Sequence, residues 1–215
     1  ERFGGKITVI TMGPPRASDI LRECLFMGAD DAVLVTDRKF AGSDTLATSY
    51  ALARAVEHVG QCDLVFCGRQ AIDGDTAQVG PQVAEKLGLP QITYAESIDA
   101  LDGAEIVVTR ALPLGTETVA CRLPCLLTVV GSARTPRPPS ARRIMAAKLA
   151  ATPLEIPRLL EQWPEFGTRE ALESYLAARD LVIPVWTAAD LGADEARLGL
   201  AGSPTKVAAV DFVTL

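Results

Sequence analysis

The sequence is poor in the residues that several classes of protein need. It has one histidine, and its five cysteines include no Cys-x-x-Cys pair, so zinc binding is disfavoured and the thiols are expected to be free. The net charge of −6 comes without a basic stripe, which disfavours nucleic-acid binding. No apolar run approaches the roughly 20 residues that span a bilayer, and no signal peptide is visible. We therefore expect a cytoplasmic protein without membrane insertion.

What is present is a regular alternation of strand and helix patterns. The 215 residues are 48% hydrophobic, which suits one α/β domain with an appendage. Strands are predicted at 6–12, 32–36, 64–67 and 91–94, and helices from Pro15 or Ser18 to Met27, from Asp44 to His58, and from the loop after residue 67 to about Gly88. This order predicts an open, mostly parallel, Rossmann-like sheet with helices on both faces.

The pattern changes after residue 100. The alternating stretches Ala104–Arg110 and Glu117–Leu123 predict an antiparallel hairpin, and Cys125–Val130 predicts a buried strand that returns to the main sheet. Beyond Gly131 the chain is proline-rich, with helices expected at 141–150 and 168–179. We therefore divide the chain into an α/β domain, residues 1–130, and a second part, residues 131–215, made of a linker, short helices and an extended C-terminal arm.

Both ends of the sequence carry expectations. Glu1–Gly5 resembles the last turn of a helix with a glycine cap, so we expect a strand and a helix to precede it in the native protein. Trp163, Trp186, Leu200 and Phe212 are large apolar residues in the second part. An acidic domain seldom exposes such residues, so we expect the arm to bury them on a partner chain. The alternative is that the arm packs back on its own domain.

One stretch, Asp63–Pro81, has the pattern of a strand, a polar loop and a helix start. Leu64–Cys67 is a short apolar run, as in a strand covered on both faces, and Gly68 and Gly74 bracket the loop that follows. A strand that enters a helix through such a loop leaves free N–H groups at the positive end of the helix dipole, where phosphate binds. The alternative is an ordinary capped helix after a strand.

The start of that helix has candidate capping residues. Asp75 and Thr76 are of the types that cap helix N-termini, and Gln78 follows Asp75 at the spacing of a capping box. A carboxylate is a poor neighbour for phosphate, so Asp75 is interpreted as a cap or a ribose contact.

Three stretches of the sequence form one recognisable pattern. They are Thr11–Pro15 with Met27–Asp30, Cys67–Pro81 with Leu89–Gln91, and Val185–Asp190 with Gly202–Pro204. Together they resemble the β subunit of electron transfer flavoproteins. The resemblance covers nearly the whole chain, and the second stretch is the most specific. The Pro-Pro pair after Gly13 and the Gly-Ser-Pro element look more like the electron-bifurcating branch than the housekeeping branch.

The resemblance implies an adenine nucleotide-binding α/β domain that pairs with an α subunit through its C-terminal arm. In the bifurcating branch the β subunit binds FAD, which takes a hydride from NADH and splits the electron pair. In the housekeeping branch it binds AMP as a structural ligand. The α-subunit FAD carries single electrons to an acyl-CoA dehydrogenase-like or other flavin dehydrogenase. No catalytic side chain is expected, because the flavin carries the chemistry. A non-redox adenine-nucleotide module is a further alternative.

The resemblance also implies a cofactor site on two loops. The predicted phosphate contacts are the N–H groups of Ala77, Gln78 and Val79, helped by the Thr76 hydroxyl and the Gln78 amide. Met12 is interpreted as a contact of the flavin ring or as a core side chain, and Arg69 as a partner of phosphate, of the α subunit or of water. The predicted cofactor-binding residues are Thr11, Met12, Gly13, Pro14, Gly68, Arg69, Asp73, Gly74, Asp75, Thr76, Ala77, Gln78 and Val79.

Overall fold

The computed structural model describes residues 3–72 and 74–205. The strands are β1 (Thr8–Met12), β2 (Asp31–Val35), β3 (Leu64–Gly68), β4 (Gln91–Asp102), β5 (Glu105–Leu112), β6 (Gly115–Arg122), β7 (Cys125–Val129) and β8 (Val185–Trp186). The helices are α1 (Ser18–Met27), α2 (Thr45–Val59), α3 (Val79–Leu87), α4 (Ala141–Ala147), α5 (Ile156–Gln162) and α6 (Arg169–Ala177). The predicted α/β fold is confirmed. The chain forms two compact units: Glu1–Asp37 with Thr135–Asp190, and Arg38–Arg134 with Leu191–Leu215.

The first unit contains a parallel three-stranded sheet in the order β1-β2-β8. Gly28 ends α1 in a left-handed conformation (φ 116°), which glycine adopts without strain, and β2 follows directly. Leu21 and Leu34 are fully buried in a core that α5 and α6 complete with Ile156 and Leu172. The helix expected at 168–179 is confirmed as α6. The sequence patterns predict only one helix between residues 151 and 182. The structure has a second helix there, α5, which begins at a proline-containing first turn.

The expectation that the large apolar residues of the second part are buried on a partner chain is wrong for Trp163 and Trp186. Trp163 packs against the core of the first unit, and Trp186 is half-buried in β8, where it pairs with Val35. Both tryptophans therefore pack within their own unit. Leu200 is 71% exposed, and Phe212 lies outside the described residues.

The second unit contains a five-stranded sheet in the order β3-β7-β4-β5-β6. The β3, β7 and β4 strands are parallel, whereas β4, β5 and β6 are antiparallel, which confirms the predicted hairpin and the returning strand. The strand covered on both faces is β7, because Cys125, Leu126 and Leu127 are fully buried. The same prediction for β3 is wrong: β3 lies at the edge of this sheet, and Phe66 is 54% exposed.

Helices α2 and α3 pack side by side in the second unit. Asp44 caps α2 as predicted, since its carboxylate accepts hydrogen bonds from the N–H groups of Leu46 and Ala47. Gly88 ends α3 in a left-handed conformation. Across residues 3–72 and 74–205, no helix is both long and apolar enough to cross a bilayer.

Candidate functional site

The candidate site lies where β3 passes into α3, at the carboxyl end of the parallel strands of the second unit. The N–H of Arg69 donates to Val129 O at 2.9 Å, so the parallel pairing with β7 extends one residue past β3. The loop then runs to Gln78, and α3 begins at Val79. Ligands of open α/β sheets bind at this edge. Asp73, a predicted site residue in this loop, lies outside the described residues.

Two residues with side chains adopt a left-handed conformation in this loop. The left-handed residues are Asp75 (φ 50°) and Ala77 (φ 54°), whereas neither Gly68 nor Gly74 has a positive φ. A Cβ atom built on Gly68 meets no atom within 4 Å, so the chain itself does not require glycine there. The backbone at positions 75 and 77 is therefore strained, because each residue has a Cβ atom that glycine lacks.

The predicted capping box is absent. Gln78 is the N-cap of α3, and it makes no side-chain capping bond. Asp75 lies three residues before that cap, and its carboxylate accepts a hydrogen bond from the Gln70 side chain instead. The interpretation of Asp75 and Thr76 as caps is wrong for this reason, and the N-terminus of α3 is left open.

An open concavity of backbone N–H groups forms at this helix start. A left-handed residue, Ala77, is followed by a right-handed one, Gln78 (φ −98°, ψ −30°), and this alternation turns successive N–H groups toward one point. The N–H groups of Ala77, Gln78 and Val79 donate to no other residue that the structure describes. With the positive end of the α3 dipole behind them, they favour an anion.

Close packing holds this helix start against the sheet. Gly80 is buried, and a Cβ atom there would lie 2.6 Å from Thr128 Cγ2 on β7 and 3.4 Å from Cys67 Cβ on β3. Only glycine fits so close an approach, and a few residues further along the helix Val83 and Ala84 are buried as well. The position of the three N–H groups is therefore fixed by the sheet as well as by the loop.

The side chain of Gln78 is held by the neighbouring helix. Thr45, the first residue of α2, donates its hydroxyl hydrogen to Gln78 Oε1 at 2.9 Å. The sequence does not indicate the role of Thr45, because the sequence patterns of α2 and α3 do not show how the two helices are rotated relative to each other. Its position directly after the cap Asp44 was the one signal available.

The Gly202–Pro204 stretch supports the start of α2. The N–H of Asp44 donates to Ser203 Oγ at 2.8 Å, and the N–H of Thr205 donates to Asp44 Oδ2 at 3.1 Å. Burial alone would raise the pKa of the Asp44 carboxyl, but hydrogen bonds from the N–H groups of Ala47, Thr205 and Leu46 outweigh it and lower that pKa. Residues 202–205 of the C-terminal segment therefore pack within the second unit.

The other predicted loop lies in the first unit. Thr11 and Met12 end β1 and are half-buried, and the N–H of Gly13 donates to Val35 O at 3.0 Å. A Cβ atom on Gly13 would lie 3.1 Å from Ala17 Cβ. Pro14 is exposed and precedes a short 3-10 turn. The contact of this loop with a ligand stays a prediction.

Four of the five cysteines lie where burial disfavours the thiolate. All five are free, and burial raises the pKa values of the Cys24, Cys62 and Cys67 thiols. Burial and the neighbouring Cys121 thiol raise the pKa of Cys125 to about 12. No group of three or more His, Cys, Asp or Glu side chains within the described part of the chain could hold a metal ion.

Comparison with known proteins identifies relatives along most of the chain. Residues 1–154 match the model of the electron transfer flavoprotein domain. The chain is 46% identical over 209 residues to the electron transfer flavoprotein subunit beta of Thermoanaerobacterium thermosaccharolyticum, covering 97% of this chain and 68% of that protein. It is 43% identical over 214 residues to the protein FixA of Azorhizobium caulinodans, covering 96% and 65%. It is 42% identical over 207 residues to CarD, a subunit of the caffeyl-CoA reductase-Etf complex of Acetobacterium woodii, covering 96% and 67%.

Proposed function

The chain belongs to the electron transfer flavoprotein family as a β subunit, and from this premise we propose that it binds an FAD that accepts hydride from NADH. On this proposal the protein forms a heterodimer with an α subunit. One electron of each pair passes to the α-subunit FAD and the other to a second acceptor. The electron partner is a flavin dehydrogenase, of the acyl-CoA dehydrogenase type or another.

The observation that carries the proposal is the set of N–H groups at Ala77, Gln78 and Val79, which donate to no residue within 3–72 and 74–205. Three convergent donors at a helix N-terminus suit the oxygens of a diphosphate, and the Thr76 hydroxyl and Gln78 amide add donors of the same kind. A Cβ atom at Gly68 would meet no described atom within 4 Å, which leaves room for a ligand beside the backbone there. The residues present therefore fit the diphosphate of FAD.

The bound FAD would supply the hydride and single-electron chemistry, and the chain would bind and orient it. The backbone donors would fix the diphosphate, and the open edge at Gly68 would admit the nucleotide. Met12, with an apolar and polarizable side chain, stays the predicted contact of the flavin ring. Side-chain catalysis is no part of the proposal, because the flavin would carry the chemistry.

A second candidate is a structural AMP at the same phosphate contacts. It is favoured by the fact that the loop residues described here would meet only phosphate and ribose, which both nucleotides share. The preference for FAD rests on the resemblance of Gly13–Pro15 and Gly202–Pro204 to the bifurcating branch. One relative, CarD, is named as a subunit of a complex with caffeyl-CoA reductase, which accords with a partner acting on a CoA thioester.

The proposal is tested by placing a negative charge at the predicted diphosphate contact. Gln78→Glu in the full αβ heterodimer should lose the nucleotide of this chain, because a carboxylate repels the phosphates at close range. Reduction of flavin by NADH under anaerobic conditions should fall with it. The readouts are nucleotide released by acid per heterodimer and the bleaching of flavin absorbance.

The matched control is Gln91→Glu, which adds the same charge at an exposed position at the start of β4. It should keep both nucleotide content and reduction by NADH. Full nucleotide occupancy in the Gln78→Glu heterodimer would contradict the proposed site. If the unmodified heterodimer contains its nucleotide but NADH does not reduce its flavin, nucleotide binding would stand and the proposed hydride transfer would be contradicted.

A further inference from the structure

Two hydroxyl–amide hydrogen bonds join α2 to α3 in the second unit. Thr45 Oγ1 lies 2.9 Å from Gln78 Oε1, and Ser49 Oγ lies 3.0 Å from Gln82 Oε1. The partners are four residues apart on both helices, about one helical turn. The two helices therefore run in the same direction, side by side, and the Thr45 bond lies at the end where α3 is open.

The chemistry of the amide makes the Thr45 bond directional. A glutamine side chain presents an oxygen that accepts and an NH₂ group that donates, and its terminal torsion has a broad, roughly two-fold preference. A hydroxyl that donates to the oxygen selects one of the two orientations. Without that hydroxyl, the amide can turn its oxygen toward an anion, where it would repel a phosphate instead of donating to it.

The neighbouring residue leaves Thr45 free for this role. Asp44 satisfies the N–H groups of Leu46 and Ala47, so capping of α2 does not require the Thr45 hydroxyl. Gln78 in turn makes no capping bond in α3. Both side chains at this junction are thus committed to each other and not to the ends of their own helices.

We propose that Thr45 is a positioning residue of the diphosphate site, which holds the Gln78 amide with its NH₂ group available to the phosphates. The inference rests on the proposed function, because it assumes that Gln78 contacts the nucleotide. Thr45 acts through Gln78 and does not itself contact the ligand.

The test is a double-mutant cycle on the αβ heterodimer stripped of nucleotide and titrated with ADP, which carries the diphosphate. The part of ADP binding that is lost in the Gln78→Glu heterodimer is taken as binding to this chain. Thr45→Val keeps the shape of threonine without the hydroxyl and should weaken ADP binding at this site roughly five-fold, as expected for one oriented hydrogen bond. Thr45→Ser should restore the affinity to within about two-fold. In the Gln78→Ala background, Thr45→Val should cause no further loss.

The matched control is Ser49→Ala, which removes the hydroxyl one turn away from the loop that donates to Gln82 Oε1 or to Leu46 O. It should lower the thermal midpoint of unfolding while leaving ADP affinity unchanged. If Thr45→Val does not fold, Thr45→Ala removes the same hydroxyl and serves in the cycle.

The outcomes separate this inference from the proposed site. Unchanged ADP binding in Gln78→Ala and Gln78→Glu would overturn the site and the positioning role together. A loss in the Gln78 variants, combined with a Thr45→Val effect that is absent or that adds fully to Gln78→Ala, would overturn only the positioning role. An equal loss of affinity in Ser49→Ala would also overturn it, since general loosening of the helix pair would then explain the effect.

Discussion

Ala77 carries the left-handed backbone that shapes the candidate site. Its φ of 54° is unusual for a residue with a side chain, and such a conformation costs about 1–2 kcal/mol relative to a right-handed one. Strained backbone of this kind persists where the surrounding structure enforces it, often beside a ligand. Three residues further along the chain, Gly80 packs closely on β7.

Replacing Ala77 tests whether this strain is present in solution. Ala77→Gly should raise the free energy of unfolding by about 1 kcal/mol, because glycine adopts a positive φ without penalty. Ala77→Val should lower it, because a β-branched residue in this region is an outlier. Urea unfolding of nucleotide-free protein measures both. A glycine variant less stable than the unmodified protein would contradict the left-handed assignment.

Asp44 gives the fold a pH dependence with a defined sign. Its pKa in the folded state is lowered from the ordinary value of 3.8, so the carboxylate stabilises the folded state above pH 3.8. That stabilisation is lost as the pH falls through the lower, folded-state pKa. Asp44→Asn should therefore be less stable than the unmodified protein near neutral pH.

The difference between these two proteins should shrink as the solution is acidified below pH 3.8, the ordinary pKa of the group. Unfolding midpoints measured across the acid range provide the comparison. A stability difference that stays constant with pH would show that the charge of Asp44 plays no part in holding the Ser203 and Thr205 segment.

At the scale of elements, the start of α3 depends on a single close approach to the sheet. Gly80→Ala should destabilise the protein by about 1–3 kcal/mol, because the new methyl group would lie 2.6 Å from Thr128 Cγ2. Gly68→Ala is the matched control, since a Cβ atom there meets nothing within 4 Å and the φ angle is not positive. Thermal unfolding without nucleotide should separate the two variants.

The Gly68→Ala variant also reports on the ligand. If the nucleotide occupies the space beside Gly68, this variant should keep the stability of the unmodified protein and still bind nucleotide more weakly. Equal affinity would mean that the nucleotide does not approach the backbone at this residue.

The order of elements could be predicted from the sequence because it depends on local patterns. The β-branched runs of β1 and β2, the Asp44 cap, and the turn residues of the β5–β6 hairpin each act within a few residues. The helix α5 was not predicted, although its proline lies in the first turn, where proline is compatible with a helix.

The geometry of the site was less predictable for a physical reason. The position of β3 at the sheet edge depends on which strands pair over long range, and no pattern within β3 encodes it. The left-handed conformation of Asp75 and Ala77 runs against the preference of residues with side chains, so no sequence pattern indicates it. Residue types and spacing alone predict phosphate binding at Asp63–Pro81, and that binding stays a prediction.

At the scale of the whole molecule, the chain is an electron transfer flavoprotein β subunit that spans about two thirds of the length of its relatives, 68% of the Thermoanaerobacterium protein. The described C-terminal segment up to Thr205 is held to the rest of the second unit by hydrogen bonds of Ser203 and Thr205 with Asp44. We therefore expect that a truncation tested for loss of α-subunit binding should begin after Thr205. Removal from Gly199 onward would also remove contacts that hold the cap of α2.

Removing residues 206–215 should weaken association with the α subunit and leave the unfolding midpoint of the remaining chain unchanged, as expected if that arm holds the partner. Gel filtration of the heterodimer and thermal unfolding of the truncated chain measure the two effects. If the truncated heterodimer dissociates on dilution no more than the unmodified one, a role of this arm in assembly would be contradicted.

The central claim is that this chain binds its own FAD, and the most direct test is the nucleotide content of the full-length αβ heterodimer. Nucleotides released by acid are separated by chromatography and counted against protein. The account predicts about two FAD per heterodimer, falling to about one in the Gln78→Glu heterodimer. One FAD with one AMP per heterodimer would contradict it and leave the AMP-binding alternative.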